Sequence, residues 1–367
     1  MIRVASPDIT DEDLAAVVAV LRSGQLVQGR YVAEFERRLA PITGTAHVVA
    51  VSNCTAALHL TLVALGIGAG DRVAVTAYSW PATANAIVLA GATPVFVDID
   101  PITFNIDPEA LSDTLSRQQV KAVMVVHAFG GMADMPRIND VALRAGALVI
   151  EDAACALGAM LGGRPAGAWG AAACFSFHPR KAVTTGEGGA VSTDDESLAT
   201  RLRILRNHGQ DPHSPTPEFI MAGYNLRLTD FQAVLGTGQL TRWPHLVSAR
   251  RRAAGVYDDL LAESEVGVPG ALEPASHTYQ SYTVLLPVDV APRRGAIIAA
   301  LRERGVETTI GTVHIPLTTH YRNAYGGRVG QFPITDDVAA RALALPLHSK
   351  LKREDQERVV RELLQCL

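Results

Sequence analysis

From His47 onward the chain alternates short apolar runs with stretches of helical spacing. Residues 48–51, 73–76, 95–98, 122–127 and 148–152 form runs of strand length. Between them, residues 55–65 and 135–145 space their apolar side chains as helices do. This alternation predicts an α/β fold with a mostly parallel sheet covered by helices on both faces. Ligands of such folds gather at the carboxyl ends of the strands, so the residues just after each run are the ones to inspect.

Ahead of the sheet, residues 8–21 (Leu14, Val17, Val18, Leu21) and 31–40 (Val32, Phe35, Leu39) read as amphipathic helices around the glycine-flanked loop 24–30. A further run at 171–177 precedes a glycine-rich turn and Ala190-Val191-Ser192. Beyond Asp194 the chain is helical and charged, 210–219 is a proline-rich loop, and 223–232 leads into a helical region through Tyr257. We place the boundary between a large domain (1–243) and a small α+β domain (244–367) at Trp243-Pro244. In the small domain a strand is expected at 281–287, helices at 293–304, 336–345 and 354–364, and a polar segment at 306–320.

Composition narrows the class. At 367 residues, 48% hydrophobic, the chain suits one large globular unit plus a smaller one. No apolar run approaches the roughly 20 residues of a membrane helix. Met1 to Pro7 lead straight into Asp8, Asp11, Glu12 and Asp13, unlike a signal peptide, so cytoplasmic residence without a membrane partner is expected. A net charge of -4 with interspersed signs gives no basic stripe for nucleic acid. Cys54, Cys155, Cys174 and Cys366 lack zinc spacing and read as free thiols, so no metal is expected.

Candidate chemistry appears at four strand ends. Basic positions are nearly all arginine, and the lysines are Lys121, Lys181, Lys350 and Lys352. Lys181 lies inside Ser176-Phe177-His178-Pro179-Arg180-Lys181, ahead of the glycine-rich turn. An arginine cannot lose its proton to attack a carbonyl, whereas a lysine can. A solvated loop lysine fits the same stretch. Ser52 to Leu58 form a helix start that suits a phosphate or an ordinary cap. Trp80, at a strand end before Pro81, suits stacking on a planar cofactor or plain packing. Glu151-Asp152 close a buried strand, where an acid requires a cation such as a protonated ring nitrogen, or a helix N-terminus. Together these supply what pyridoxal phosphate needs: an amine, a carboxylate, a flat ring and a phosphate cradle. Lys121 opens a strand at the far end and Lys350 and Lys352 lie in a charged C-terminal segment, which leaves Lys181 as the amine.

The motifs GRYVAEFE (29–36), SNCTAAL (52–58), LGIGAGD (65–71), PVFVDIDPITFNID (94–107), EDAA (151–154), the stretch 176–189 and GYNLRLTDFQ (223–232) follow one another in order and carry a resemblance that covers nearly the whole chain. In them the sequence resembles the DegT/DnrJ/EryC1/StrS sugar aminotransferases, which have the fold type I architecture of the aspartate aminotransferase superfamily. The resemblance implies that Lys181 bonds the cofactor and then serves as general acid/base. It implies that Asp152 pairs with the pyridinium, Trp80 stacks on the ring, and Thr55, the Ala56 backbone and Ser176 hold the phosphate. Cys155 stands where relatives often carry Gln or His against the ring hydroxyl. The resemblance also implies that Asn225 reaches the phosphate of the other subunit, and hence a homodimer with shared sites. Arg227 is implied as a contact for the donor carboxylate, and His178 and His314 as substrate contacts. The expected reaction moves an amino group from L-glutamate or glutamine to a keto-sugar, foremost a nucleotide-linked keto-deoxysugar. The alternatives are a keto-cyclitol acceptor or a pyridoxal phosphate-binding regulator without turnover. Relatives that dehydrate keto-deoxysugars carry histidine in place of the lysine, and Lys181 argues against that type.

Overall fold

The computed structural model describes residues 1–273 and 276–367. Its strands are β1 (His47–Val51), β2 (Arg72–Thr76), β3 (Tyr78–Ser79), β4 (Thr93–Val97), β5 (Ala122–Val126), β6 (Leu148–Asp152), β7 (Met160–Leu161), β8 (Arg164–Pro165), β9 (Ala172–Ser176), β10 (Gly189–Thr193), β11 (Tyr282–Leu285), β12 (Thr309–Ile310), β13 (Val313–His314) and β14 (Ala342–Leu345). Its α-helices are α1 (Asp11–Ser23), α2 (Arg30–Thr43), α3 (Cys54–Ala64), α4 (Ala82–Leu89), α5 (Pro108–Arg117), α6 (Met135–Arg144), α7 (Glu196–Arg206), α8 (Asp230–Leu240), α9 (Trp243–Leu261), α10 (Arg294–Glu303), α11 (Thr319–Tyr325), α12 (Pro333–Arg341) and α13 (Arg353–Leu364).

The central sheet has seven strands in the order β1-β10-β9-β6-β5-β2-β4. All run parallel except β10, which pairs antiparallel with β1 and β9. Successive side chains of each strand enter opposite cores, the period-2 geometry of a pleated strand. Val48, Ala50, Ala74, Val123 and Phe175 meet Phe35 and Leu39 of α2 and Ile138 of α6. Their neighbours Val49, Val51, Val73, Val75 and Met124 meet Leu58 and Leu62 of α3 and Leu202 of α7. Both faces are therefore covered, each buried Val or Leu contributing about 1.5–3 kcal/mol. That is why the strands read as continuous apolar runs.

A smaller antiparallel sheet, β11-β14-β12, forms the other unit. It packs on α9, α10 and α13 through Tyr257, Tyr282, Leu301, Leu343 and Val359. Here the expected helix over 336–345 is corrected. α12 stops at Arg341, and Ala342–Leu345 is the central strand of the small sheet, buried along its length. The alanines favour helix, but the residue before Pro346 is steered to extended backbone, and pairing on both edges settles the outcome. The helical region through Tyr257 is also interrupted: α8 ends at Leu240, and α9 restarts with a proline in its first turn. Finally, β13 pairs with β3, so the C-terminal part reaches across to the strand that precedes Trp80.

Candidate active site

Four carboxyl-terminal strand ends and one helix start converge. Asp152 is the last residue of β6 and is buried. The Thr83 hydroxyl donates to its Oδ2 at 2.7 Å and the Ala154 N–H to its Oδ1 at 3.2 Å. Among the described residues no cation lies within ion-pair distance of it. Burial pushes its pKa above the ordinary value, against the opposing pull of Thr83, Ala154 and the more distant Lys181. A desolvated carboxylate with only neutral donors is a site waiting for a positive charge.

Glu151, one residue earlier, faces the opposite core. Its carboxylate accepts from the N–H groups of Gly167, Trp169 and Gly170 at 2.8–3.0 Å and lies 3.0 Å from His127 Nε2. His127 Nδ1 accepts from the Ala133 N–H, so Nε2 carries the proton donated to Glu151. Burial pushes the Glu151 pKa up, but His127 and the amides outweigh it and hold the group below its ordinary value. The two adjacent acids thus differ in kind: Glu151 is fully compensated and structural, whereas Asp152 is not.

Lys181 follows β9 in the loop that leads to β10. Its Nζ donates to Cys155 Sγ at 2.9 Å. Burial pulls the ammonium down, but Cys155, Cys54 and Asp152 together outweigh it and leave the pKa above the ordinary lysine value. An amine is nucleophilic only when neutral, so this shift favours the unreactive form of Lys181.

The helix start is α3. Asn53 caps it by accepting from the Ala56 N–H at 2.8 Å, while the first turn leaves the Cys54 and Thr55 amides without an intrahelical acceptor. Ser176, at the end of β9, stands in register with Gly189 of β10. A Cβ on Gly189 would fall 2.4–2.7 Å from the backbone of Asn53 and Cys54, so only glycine lets the two strands approach the helix start this closely. Among the described residues neither the Thr55 nor the Ser176 hydroxyl is engaged in a hydrogen bond. Free amides, free hydroxyls and a helix dipole form an anion cradle.

Trp80 is 69% exposed and lies one residue from this network, its carbonyl accepting from the Thr83 N–H at 3.2 Å. The structure therefore gathers Asp152, Cys155 and Lys181, with Thr55, Ala56 and Ser176 around the start of α3 and Trp80 at the rim. Asn225, Arg227 and His314 lie outside this group within one chain, whereas His178 shares the Lys181 loop, its carbonyl accepting from the Lys181 N–H at 2.8 Å. Asn225 and Arg227 sit beside the end of β1, where the Arg227 guanidinium binds Asn225 Oδ1 and Asn207 Oδ1 at 3.1 and 2.8 Å. His178 Nδ1 accepts from the Arg180 N–H at 3.2 Å, and its ring is half exposed beside Glu187. His314 is buried against Phe332 with Nε2 3.1 Å from Asp336 Oδ1, although the two are not aligned as a hydrogen bond. Three supporting residues went unread in the sequence: Thr83, which carried no motif beyond a helix start, and Gln239 and Gln280, which hold the Lys181 loop from distant elements.

The donor set fits pyridoxal phosphate: an amine, an uncompensated buried acid for a ring cation and an anion cradle. Such a set at the strand ends of a mostly parallel sheet, beside a smaller unit, defines the fold type I class of pyridoxal phosphate enzymes. The chain belongs to the DegT/DnrJ/EryC1/StrS aminotransferase family, whose model matches residues 7–364. It is 39% identical over 344 residues to a GDP-perosamine synthase of Caulobacter vibrioides, covering 92% of this chain and 91% of that one. A pleiotropic regulatory protein of Geobacillus stearothermophilus is 38% identical over 354 residues, covering 94% and 91%. A Streptococcus pneumoniae protein provisionally assigned as a sugar aminotransferase, solved in its PMP form, superposes with a TM-score of 0.95 at 30% identity, covering 100% of this chain and 97% of that one.

Proposed function

We propose that this aminotransferase moves an amino group from L-glutamate or glutamine to a keto-sugar carried on a nucleotide. The observation that carries the reading is the buried Asp152 carboxylate, with no cation within ion-pair distance among the described residues, at the strand end neighbouring the Lys181 loop. The likeness to a synthase of a GDP-linked sugar supports the nucleotide-linked acceptor. Pyridoxal phosphate, when bound, supplies an aldehyde that carries nitrogen and a ring that accepts electrons. Asp152 would hold the ring nitrogen as a cation, and Thr83 orients Asp152. Thr55, the Ala56 backbone, whose N–H Asn53 Oδ1 caps in the cofactor-free chain, and Ser176 would bind the phosphate at the start of α3. Trp80 would shield the ring from water. Lys181 Nζ would be the amine that holds the cofactor through its aldehyde, with loss of water, and the base that moves the proton at the substrate carbon, with Cys155 Sγ beside it. Two copies pair, and Asn225 of the partner subunit completes the phosphate site. Arg227 takes the donor carboxylate, and His178 and His314 belong to the substrate-facing loops. We take residues 1–243 as the cofactor domain and 244–367 as the small domain, a division supported by the separate apolar core around β11, β14 and β12. Four free thiols support a reducing, cytoplasmic setting.

The test is spectroscopic. Protein loaded with pyridoxal phosphate should lose its visible absorbance when glutamate or glutamine is added and regain it with a nucleotide-linked keto-sugar. A loaded protein that no amino donor changes would favour the regulator reading, to which the Geobacillus relative's name lends weight. Lys181→Ala should slow the donor-driven conversion by at least about 10³-fold, the range expected for losing a positioned acid/base. Retained conversion would refute the lysine assignment.

A further inference from the structure

The loop presenting Lys181 has little backbone pairing of its own at the lysine. The Lys181 N–H donates to the His178 carbonyl at 2.8 Å, but the flanking peptide groups find their partners in side chains. Gln280 Oε1 accepts from the Ala182 N–H at 3.1 Å, and Gln280 Nε2 donates to the Arg180 carbonyl at 2.5 Å. Farther along the loop, Gln239 Oε1 accepts from the Thr184 N–H at 3.0 Å and its Nε2 donates to the Thr184 carbonyl at 2.6 Å. A carboxamide carries the donor and acceptor of a peptide group side by side. Each glutamine thus provides the pair of bonds that a neighbouring strand would supply.

The two differ in where they come from. Gln239 lies on α8, against the large sheet. Gln280 lies just ahead of β11, in a segment that is itself pinned to the site. The Thr278 N–H donates to the Gly130 carbonyl at 2.9 Å and its hydroxyl to the Cys155 carbonyl at 3.1 Å. Gly130 has φ +96°, and a Cβ there would fall 2.3 Å from Thr278 Oγ1 and 2.8 Å from the Cys155 carbonyl, so this approach needs glycine. Behind the segment, buried Arg250 donates from one nitrogen to the carbonyls of Tyr279, Gln280 and Leu347 at 3.2–3.3 Å. The backbone of Gln280 is therefore fixed from behind, and its side chain grips the peptide groups on both sides of Lys181.

We propose that Gln280 is the positioning residue for Lys181, placing its Nζ through the Arg180 carbonyl and the Ala182 N–H and tying it to the seating of residues 276–281. A lysine side chain is a flexible four-carbon stem, so where its amine can reach is set by how firmly its Cα is held. The inference rests on Lys181 being the reactive lysine, but its first readout does not. Hydrogen exchange on the cofactor-free protein should show the Ala182 amide exchanging about tenfold faster in Gln280→Leu, the loss of one net hydrogen bond, and near the wild-type rate in Gln280→Glu, which keeps the acceptor. In the loaded protein the donor-driven rate at saturating glutamate should fall about tenfold in Gln280→Leu and about threefold in Gln280→Glu, with half-saturation within about twofold of wild type in both. Unchanged exchange at Ala182 in a folded Gln280→Leu would overturn the proposal, as would rates within about twofold of wild type in both variants. If the leucine variant does not fold, Gln280→Glu decides: a slower reaction with Ala182 still protected supports the role, and a wild-type rate refutes it. Because exchange is read without cofactor or substrate, a failure of the aminotransferase reading leaves that arm intact.

Discussion

Asp152 is a side chain that burial makes costly to the cofactor-free protein and that the proposed function makes useful to the loaded one. Its folded pKa lies above the unfolded value because burial disfavours the charge. The cofactor-free fold therefore loses stability as pH rises from the unfolded carboxyl pKa of about 3.9 through the higher folded value. Asp152→Asn removes that titration. In thermal melts of the cofactor-free protein, the variant should gain on wild type between pH 4 and pH 8, while loaded Asp152→Asn should release pyridoxal phosphate more readily. A melting difference that does not change with pH would refute the buried-charge account. At this scale the sequence was informative where chemistry restricts residue choice: among so few lysines Lys181 stood out, and an acid ending an apolar run marked Asp152. Thr83 and Gln280 were illegible because a threonine or glutamine has no chemical signature until folding puts it against one partner.

Among the elements, the close approach of β10 to the start of α3 decides the shape of the anion cradle. Gly189→Ala would drive a Cβ into backbone atoms of Asn53 and Cys54, which cannot turn aside as a side-chain tip can. The expected cost is about 1–3 kcal/mol in urea unfolding, with weaker binding of pyridoxal phosphate as the cradle opens. A variant with wild-type midpoint and affinity would show that the helix start is free to shift. The strands of the central sheet were readable because both faces are buried, which makes each a continuous apolar run ending close to its observed bounds. The two-residue strands β3, β12 and β13 were not readable, because so short a run has no period. Ala342–Leu345 was misread because helix propensity and strand burial favour the same alanine and leucine residues, and tertiary pairing decided between them.

On the scale of the whole molecule, exposed apolar side chains gather in two loops. Leu26 and Val27 lie in one, and Phe219, Ile220 and Met221 in the other. The proposed dimer would cover them, so light scattering should give twice the 39.0 kDa chain mass. Phe219→Asp combined with Ile220→Asp should give the single-chain mass and a lower affinity for pyridoxal phosphate, since Asn225 would no longer reach a neighbouring site. A double variant that keeps both mass and affinity would refute the shared site. The long reach of Gln280 to Ala182, 98 positions apart, has a further consequence, for the order in which the enzyme is made. A ribosome completes every strand of the central sheet before it adds Gln280, and β13, the partner of β3, comes later still. A nascent chain can thus fold the sheet and carry Lys181 while its clamp has yet to be synthesised. Lys181 would then be set in place after the sheet that carries it, once Gln280 has been added.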